Sequence, residues 1–424
     1  MNDTPKSSKA SVSDEQARSA IASPLVKSLG LPGRVIGKLL LMLTATALAL
    51  AVAECLVRLC YPEYGIPVFT TKLFTEFDPL LGWRKIPNFR GTHVQDEYTI
   101  VERFNSKGLR GPEYPYKKPA GEYRILVLGD SFAEGYTVEF DDLCSELLKK
   151  KLNAELKKRV QVINAGTGGY STDQELLFFR TEGVKYEPDL VIVLYCENDA
   201  PMNVKSVYFT MGRGQKPLFA LVDGKLSLKS TPQKTWDRTK EAEKDLAKKE
   251  HDYKKSFDLL KPETWYLYRL CKYVLTHRSE NVTAGGPIEQ VLESAPEDNT
   301  VSDARYRGRQ DEWIMTEALM AQIKKEAADA GAKFLLYSIP RKEDVYSAKA
   351  PDSAIEHNLR AMSQLHGMMF IPTIATFRKH AAIVESSQKR LYWKKDSHWT
   401  AEGHRLTAEI LAQHILSHRV DYGL

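Results

Sequence analysis

The chain opens polar and then turns abruptly apolar. Residues 1–33 are rich in Ser, Ala and Lys, carry Pro5, Pro24 and Pro32, and read as a disordered tail. Leu39 to Ala53 then run fifteen residues without a charge. A helix that crosses a bilayer needs about 20 apolar residues. The stretch reaches that length if Val35, Ile36 and Gly37 join it and Lys38 extends its ammonium to the interface. Leu56 and Val57 join at the other end if Glu54 sits near the interface. Residues 34–58 are therefore expected to form a transmembrane signal anchor. The competing readings are a cleaved signal peptide, since Ala51-Val52-Ala53 has the small-x-small form of a cleavage site, and a buried core helix. Residues 1–38 carry six basic and three acidic side chains. The positive-inside bias keeps such a tail cytoplasmic and sends everything after about residue 58 out of the cytoplasm, to a periplasmic or extracytoplasmic side.

Beyond the apolar stretch the pattern changes twice. Residues 59–121 hold Pro62, Pro67, Pro87, Gly91, Gly108, Gly111, Pro112 and Pro115, and predict a loop-rich lead-in with short strands such as Tyr98 to Phe104. From residue 122, short apolar runs alternate with helical periodicity. Arg124 to Gly129, Val160 to Ala165, Asp189 to Tyr195, Lys333 to Ile339 and Met368 to Ile371 read as buried strands. Residues 142–159, Thr172 to Lys185, Glu312 to Ala330 and Ala401 to Leu416 read as helices, the third stopped by Gly331. Such alternation predicts an α/β fold with a parallel sheet covered on both faces, built from residues 122–202 and 303–424. Between them, residues 203–302 break the pattern and are expected to be a helical insertion or lid. Residues 229–261 within it are dense in Lys, Glu and Asp, the mark of a solvated face. Residues 263–277 are apolar and aromatic at helical spacing, which suits core packing or a lid, and Trp236, Trp265, Tyr266 and Tyr268 offer rings on which a sugar can stack.

Composition narrows the function. Of 424 residues, 43% are hydrophobic, enough for a globular core. The formal charge is +5, and most of it lies in the first 38 residues. The folded part thus lacks the basic surface of a nucleic-acid binder. Five cysteines (Cys55, Cys60, Cys144, Cys196, Cys271) contain no C-x-x-C pair, so neither a zinc site of known spacing nor any other metal or cofactor is implied.

In open parallel sheets, sites form at the carboxyl ends of the strands. Gly129-Asp130-Ser131 stands after the first strand, Asn164-Ala165-Gly166-Thr167-Gly168-Gly169-Tyr170-Ser171 after the second, and Glu197-Asn198-Asp199 after the third. Asp396-Ser397-His398-Trp399 precedes the last helix, where Thr400 can cap and Glu402 falls in the first turn. Serine becomes a nucleophile when a base takes its proton, which His398 can do. A carboxylate must hold the imidazole's tautomer, and Asp396 is two residues away. The oxyanion needs donors. The Ser131 N–H, an N–H of the glycine loop and the Asn198 amide can supply them. Each motif alone has a plain reading as a turn or a packed side chain, and the set in this order is what points to hydrolysis.

That set resembles the SGNH/GDSL hydrolase family, most of all its membrane-anchored members, whose lead-in resembles Gly82-Trp83 and Asn105-Ser106-Lys107-Gly108-Leu109-Arg110. The resemblance covers about residues 80–202 and 305–420. It implies a doubly wound, flavodoxin-like three-layer α/β/α fold and ester hydrolysis or acyl transfer without a metal. It makes Ser131 the nucleophile, His398 the base and Asp396 its orienting acid. Gly169 matches the oxyanion glycine, with Gly168 the alternative, and Asn198 the oxyanion asparagine, while Asp130 holds the loop. Two departures stand out. Glu197 replaces the usual Gly before Asn-Asp, where it can contact a substrate hydroxyl or point away. Asp396 and His398 are two apart rather than three, a D-x-H-W form that resembles polysaccharide O-acetylation proteins. His404 is a fallback base, though it falls within the predicted helix. The implied partners are an acylated envelope glycan or lipid as substrate and the membrane through residues 34–58, with a place in an envelope polysaccharide pathway. A non-catalytic glycan-binding or scaffold protein on the same fold is the alternative. A thiol enzyme using Cys196 is a poor third, since the end of a buried strand suits an inert thiol.

Overall fold

The computed structural model describes residues 33–60, 74–94, 97–208, 214–233, 265–268, 270–271, 305–347, 353–385 and 389–424. Residues 1–32, Trp236, nearly all of the charged stretch 229–261 and the expected loop 279–302 lie outside the described residues. The chain divides into two units.

The smaller unit holds a helix over Gly33–Cys60 and the helical residues 266–268 and 270–271. The helix is long and apolar enough to cross a membrane. Leu41, Leu43 and Leu48 on it are exposed. Its two threonines leave no hydroxyl unmet: Thr44 Oγ1 donates to the Leu40 carbonyl at 3.0 Å and Thr46 Oγ1 to that of Met42 at 2.8 Å. Burying an unpaired donor in lipid costs several kcal/mol (roughly;), so this back-bonding makes the stretch compatible with hydrocarbon.

The larger unit opens with two antiparallel hairpins, β1 (Thr75–Asp78) with β2 (Gly82–Lys85) and β3 (Arg90–Val94) with β4 (Thr99–Arg103). The loop-rich lead-in is thus a strand-built one. The central sheet contains β5 (Tyr123–Gly129), β6 (Val160–Asn164) and β7 (Leu190–Tyr195). Short β8 (Val207–Tyr208) and β9 (Gly214–Gln215) pair, as do β10 (Leu218–Val222) and β11 (Lys225–Ser230). Within the expected helical insertion 203–302, the described residues between Val207 and Ser230 are therefore built as paired strands rather than helix. The sheet is completed by β12 (Lys333–Ser338) and β13 (Met369–Ile371).

The five sheet strands lie in the order β13-β12-β7-β5-β6, and all pairs are parallel. This is the doubly wound flavodoxin-like order, with its switch point between β5 and β7. β5 and β7 are buried at every position because helices cover both faces. One layer packs the Cys144–Glu155 and Ala401–Ser417 helices against Ile125, Val127, Ile192 and Leu194. The other packs Thr172–Thr181, Gln310–Asp329 and Ala354–His366 against Leu126, Leu128, Val191 and Val193. The period-2 alternation along each strand decides which side chain enters which layer. The helices Ala354–His366 and Ile374–Glu385 were not expected from the sequence.

Candidate active site

Ser131 follows β5 directly, on a tight turn into a single helical turn, Ser131–Glu134. Asp130 caps that turn: its Oδ1 accepts the Phe132 N–H at 2.9 Å. Burial raises the Asp130 carboxyl, and the Phe132 N–H, the His398 ring and the Cys196 and Asn198 side chains pull it back. Asp130 thus holds the turn, at 2% exposure, and does not face solvent.

The loop bearing Asp396 and His398 comes from the opposite end of the sequence. A bridge between Tyr392 and Trp399 closes its base, and the Trp393 N–H donates to the His398 carbonyl at 3.1 Å. His398 Nε2 lies 2.7 Å from Ser131 Oγ. His398 Nδ1 lies 2.5 Å from Asp396 Oδ1, which also accepts the His398 backbone N–H at 2.9 Å. The two-residue spacing therefore closes by letting one carboxylate oxygen take both His398 donors. With the proton on Nδ1, Nε2 offers its lone pair to the serine hydroxyl. Burial acts to raise the Asp396 carboxyl, and the His398 hydrogen bonds and charge with the Tyr98 hydroxyl outweigh it, holding it at about 2. It is therefore an anion at neutral pH.

The glycine loop after β6 is pinned from several sides. Asn164 donates from its amide to the Ala133 carbonyl at 2.7 Å and accepts the Gly166 N–H at 2.9 Å. Gly166 presses on the serine turn, where an added Cβ would stand 2.3 Å from the Glu134 nitrogen. Only a residue without a side chain permits that approach. The Gly168 N–H donates to the Glu134 carboxylate, so Gly168 is committed to the scaffold. Gly169, at φ +77°, is the left-handed position of the loop. Neither the Gly169 nor the Ser131 N–H is engaged among the described residues. Asn198 stands at the end of the β7 turn, where its side chain helps hold down the Asp130 carboxyl. Its amide NH2 carries two hydrogens that can be donated.

Other expected residues fall aside. His404 is buried inside its helix, its Nδ1 accepts the Cys144 N–H at 3.3 Å, and burial lowers it to about 3. The Cys196 thiol is buried and pushed well above its usual range by burial and by Asp130. Glu197 is half exposed and faces Arg341 at 3.6 Å. Thr400 sits at the helix cap, but its hydroxyl donates to the Arg390 carbonyl instead of capping. Glu402 pairs with Arg405 and, at 2.9 Å, with His380.

The lead-in supplies contacts that no motif announced. Its Tyr98 OH donates to Asp396 Oδ2 at 3.0 Å; outside the lead-in, just past the serine turn, the Tyr136 hydroxyl lies 3.2 Å from His398 Nδ1. The Glu97 carboxylate accepts the backbone N–H groups of Lys394, Lys395 and Asp396 at 2.9, 2.6 and 3.3 Å. On the other side, Lys85 Nζ donates to the Gly166 carbonyl and Trp83 Nε1 to that of Gly168 at 3.1 Å. Lys85 is buried with Glu102, Arg110 and Glu134, and Arg110 Nε lies 3.1 Å from Glu102 Oε2. Buried charges persist only when paired, which fits this cluster. The hairpins thus brace both the glycine loop and the Asp-x-His loop. The signal available in the sequence was the lead-in resemblance itself, which marks the segment without saying what its side chains touch. Among the described residues, no group of His, Cys, Asp and Glu is arranged to hold a metal.

Two family models match the chain: the GDSL-like Lipase/Acylhydrolase family over residues 127–223, and the SGNH hydrolase-like domain of acetyltransferase AlgX over residues 300–422. A search of the curated proteins finds no match. Among solved structures, TesA is similar at 13% identity, covering 69% of this chain and 97% of its own, with a TM-score of 0.35. The acetyl xylan esterase AlAXEase is similar at 12% identity, with 69% and 99% covered and a TM-score of 0.36. Axe2, an acetylxylan esterase from Geobacillus stearothermophilus, is similar at 11% identity, with 70% and 95% covered and a TM-score of 0.35.

Proposed function

We propose, from the premise that this chain belongs to the SGNH/GDSL hydrolases, that its acyl-ester hydrolase or acetyltransferase chemistry runs through Ser131, His398 and Asp396. The observation that carries the reading is the hydrogen-bonded line from Ser131 Oγ through His398 to Asp396, at 2.7 and 2.5 Å. In the first half-reaction, Ser131 Oγ attacks the ester carbonyl carbon while His398 Nε2 takes its proton. Asp396 stays ionised and stabilises the imidazolium that forms. The Ser131 and Gly169 N–H groups and the Asn198 amide receive the oxyanion. The tetrahedral intermediate collapses, the C–O bond to the alcohol breaks, and His398 returns the proton to that alcohol. In the second half, His398 Nε2 takes a proton from water or a sugar hydroxyl as its oxygen attacks the acyl carbon, the C–Oγ bond breaks, and His398 returns the proton to Ser131 Oγ. Water makes the protein an esterase, and a sugar hydroxyl makes it an O-acyltransferase.

The substrate we infer is an O-acyl group, most simply acetyl, on a cell-envelope glycan or a lipid. Support comes from the AlgX-type acetyltransferase match over the segment holding Asp396 and His398. The Gly33–Cys60 helix is the proposed signal anchor, with the catalytic part exported and the polar tail before it in the cytoplasm. Residues 74–121 act as the lead-in brace on the site. Fluorophosphonate labelling of the protein beside Ser131→Ala, with acetate release from p-nitrophenyl acetate, tests the reading. Label and acetate from the wild type alone is the expected result. Equal turnover in Ser131→Ala would overturn it.

A further inference from the structure

The aromatic segment from residue 263 onward was expected to pack on the core or to form a lid. Its described part instead packs on the Gly33–Cys60 helix. Tyr266 N–H donates to Glu54 Oε1 at 3.1 Å and Leu267 N–H to Glu54 Oε2 at 2.8 Å. Arg58 Nε donates to the same Oε1 at 2.9 Å, and its guanidinium stands 4.7 Å from the centre of the Tyr266 ring. Glu54 thus fastens a returning segment by two backbone donors while its charge is balanced by Arg58.

The level of that contact follows from helix geometry. Arg34 and Glu54 are the charges that bracket the apolar run, apart from Lys38, which can reach outward. Twenty residues at about 1.5 Å each span about 30 Å, which matches the hydrocarbon thickness of about 30 Å. A helix seated with Arg34 at one boundary therefore puts Glu54 at the other. The groups bonded to Glu54 share that level. They are the Tyr266 and Leu267 N–H groups, and Trp265 and Tyr268 flank them in sequence, Tyr268 being 40% exposed. Trp and Tyr are the side chains enriched at this depth, since each joins an apolar ring to a polar tip.

We propose that residues 265–268 form a second attachment to the membrane, a short aromatic segment lying at the lipid headgroup level beside the exported end of the Gly33–Cys60 helix. This rests on the reading that the latter helix spans a bilayer. Two points of attachment, some two hundred residues apart in sequence, hold the exported chain at the surface more closely than a single tether does.

Trp265 is its own reporter. The full chain is placed in nanodiscs of phosphatidylcholine and phosphatidylglycerol, with or without lipid brominated near the headgroup end of the acyl chain. The Trp265 emission is taken as the difference between wild type and Trp265→Phe. The expected result is loss of most of that component with brominated lipid and little quenching by aqueous acrylamide. Glu54→Ala should reverse the pattern, with the chain still embedded. A Trp265 component quenched by acrylamide and indifferent to bromine in an embedded chain would overturn the second attachment and leave the anchor standing. A chain that fails to enter the nanodisc at all would remove the anchor reading and the second attachment with it.

Discussion

Removing a single oxygen atom, in Tyr98→Phe, tests whether the lead-in hairpin takes part in the site. Tyr98 is buried, and its ring packs 5.2 Å from Trp393 and 5.5 Å from His93, contacts that phenylalanine keeps. The donor to Asp396 Oδ2 is lost, together with the hydroxyl's contact with Tyr136. A hydrogen bond to a charged group contributes about 1.5–3 kcal/mol, so a loss of about 2 kcal/mol is expected at neutral pH, read as a lower urea midpoint at unchanged slope. The pH dependence has a definite sign. The folded Asp396 carboxyl lies at about 2, below its ordinary 3.8. Its stabilisation is thus full above the ordinary value and is lost as pH falls through about 2. Without the hydroxyl the folded value rises toward the ordinary one, so the gap between variant and wild type closes in acid. Tyr98 touches Asp396 rather than substrate. If about 1 kcal/mol of the loss is felt in the transition state, turnover falls about fivefold with KM unchanged. Urea melts across pH and initial rates on p-nitrophenyl acetate read all three effects. A midpoint and a turnover equal to wild type at neutral pH would refute the bond. A stability gap that persists unchanged in acid would refute its charged character.

His398→Ala should cost about as much turnover as Ser131→Ala, because the two act as one unit; Ser131→Ala should keep the wild-type melt, whereas His398→Ala, which strips Asp396 of its imidazole partner, should lower it at neutral pH. Asn198→Ala should lower turnover by about 10²–10³ in the same assay; a change within twofold would remove Asn198 from the oxyanion site. Lys85→Met leaves Glu102 and Glu134 with Arg110 alone in a buried cluster, and breaking such a set costs about 3–5 kcal/mol in a urea melt. Gly166→Ala should abolish turnover or folding, since its Cβ would meet the serine turn at 2.3–2.5 Å, and a fully active variant would show that the turn is looser than this packing requires.

Much of the fold could be read from the chain because its rules are local. The apolar runs at Arg124 to Gly129 and Asp189 to Tyr195 announce buried parallel strands, and both are buried throughout. The strand-end motifs then follow from topology, since turns at the carboxyl ends of adjacent strands must meet. What the sequence concealed depends on distance. Glu97 bonds residues nearly 300 positions away, and Lys216 is buried in a pair with Asp173. Nothing near either residue marks it, and a buried lysine reads like a surface one. The Ala354–His366 helix was missed despite a local signal, Ser353 capping at the Glu356 N–H, because a three-residue strand follows it and blurs the alternation. The β8 to β11 hairpins are not announced, because the strand–helix alternation breaks at 203 and the charged run at 229–261 beyond them reads as a solvated helix.

The line from Ser131 to His398 joins residues separated by 267 positions, and the last turns of the chain close the same fold. The Ala401–Ser417 helix packs on Cys144–Glu155, and the Tyr123 hydroxyl donates to the Tyr422 carbonyl at 2.8 Å. Synthesis therefore delivers the serine, its turn and the glycine loop long before it delivers the imidazole. A ribosome-bound or truncated chain that ends before residue 396 holds a serine hydroxyl with no base beside it. On the proposed mechanism, ester chemistry therefore waits until the segment carrying Asp396 and His398 has been made and has docked beside Ser131.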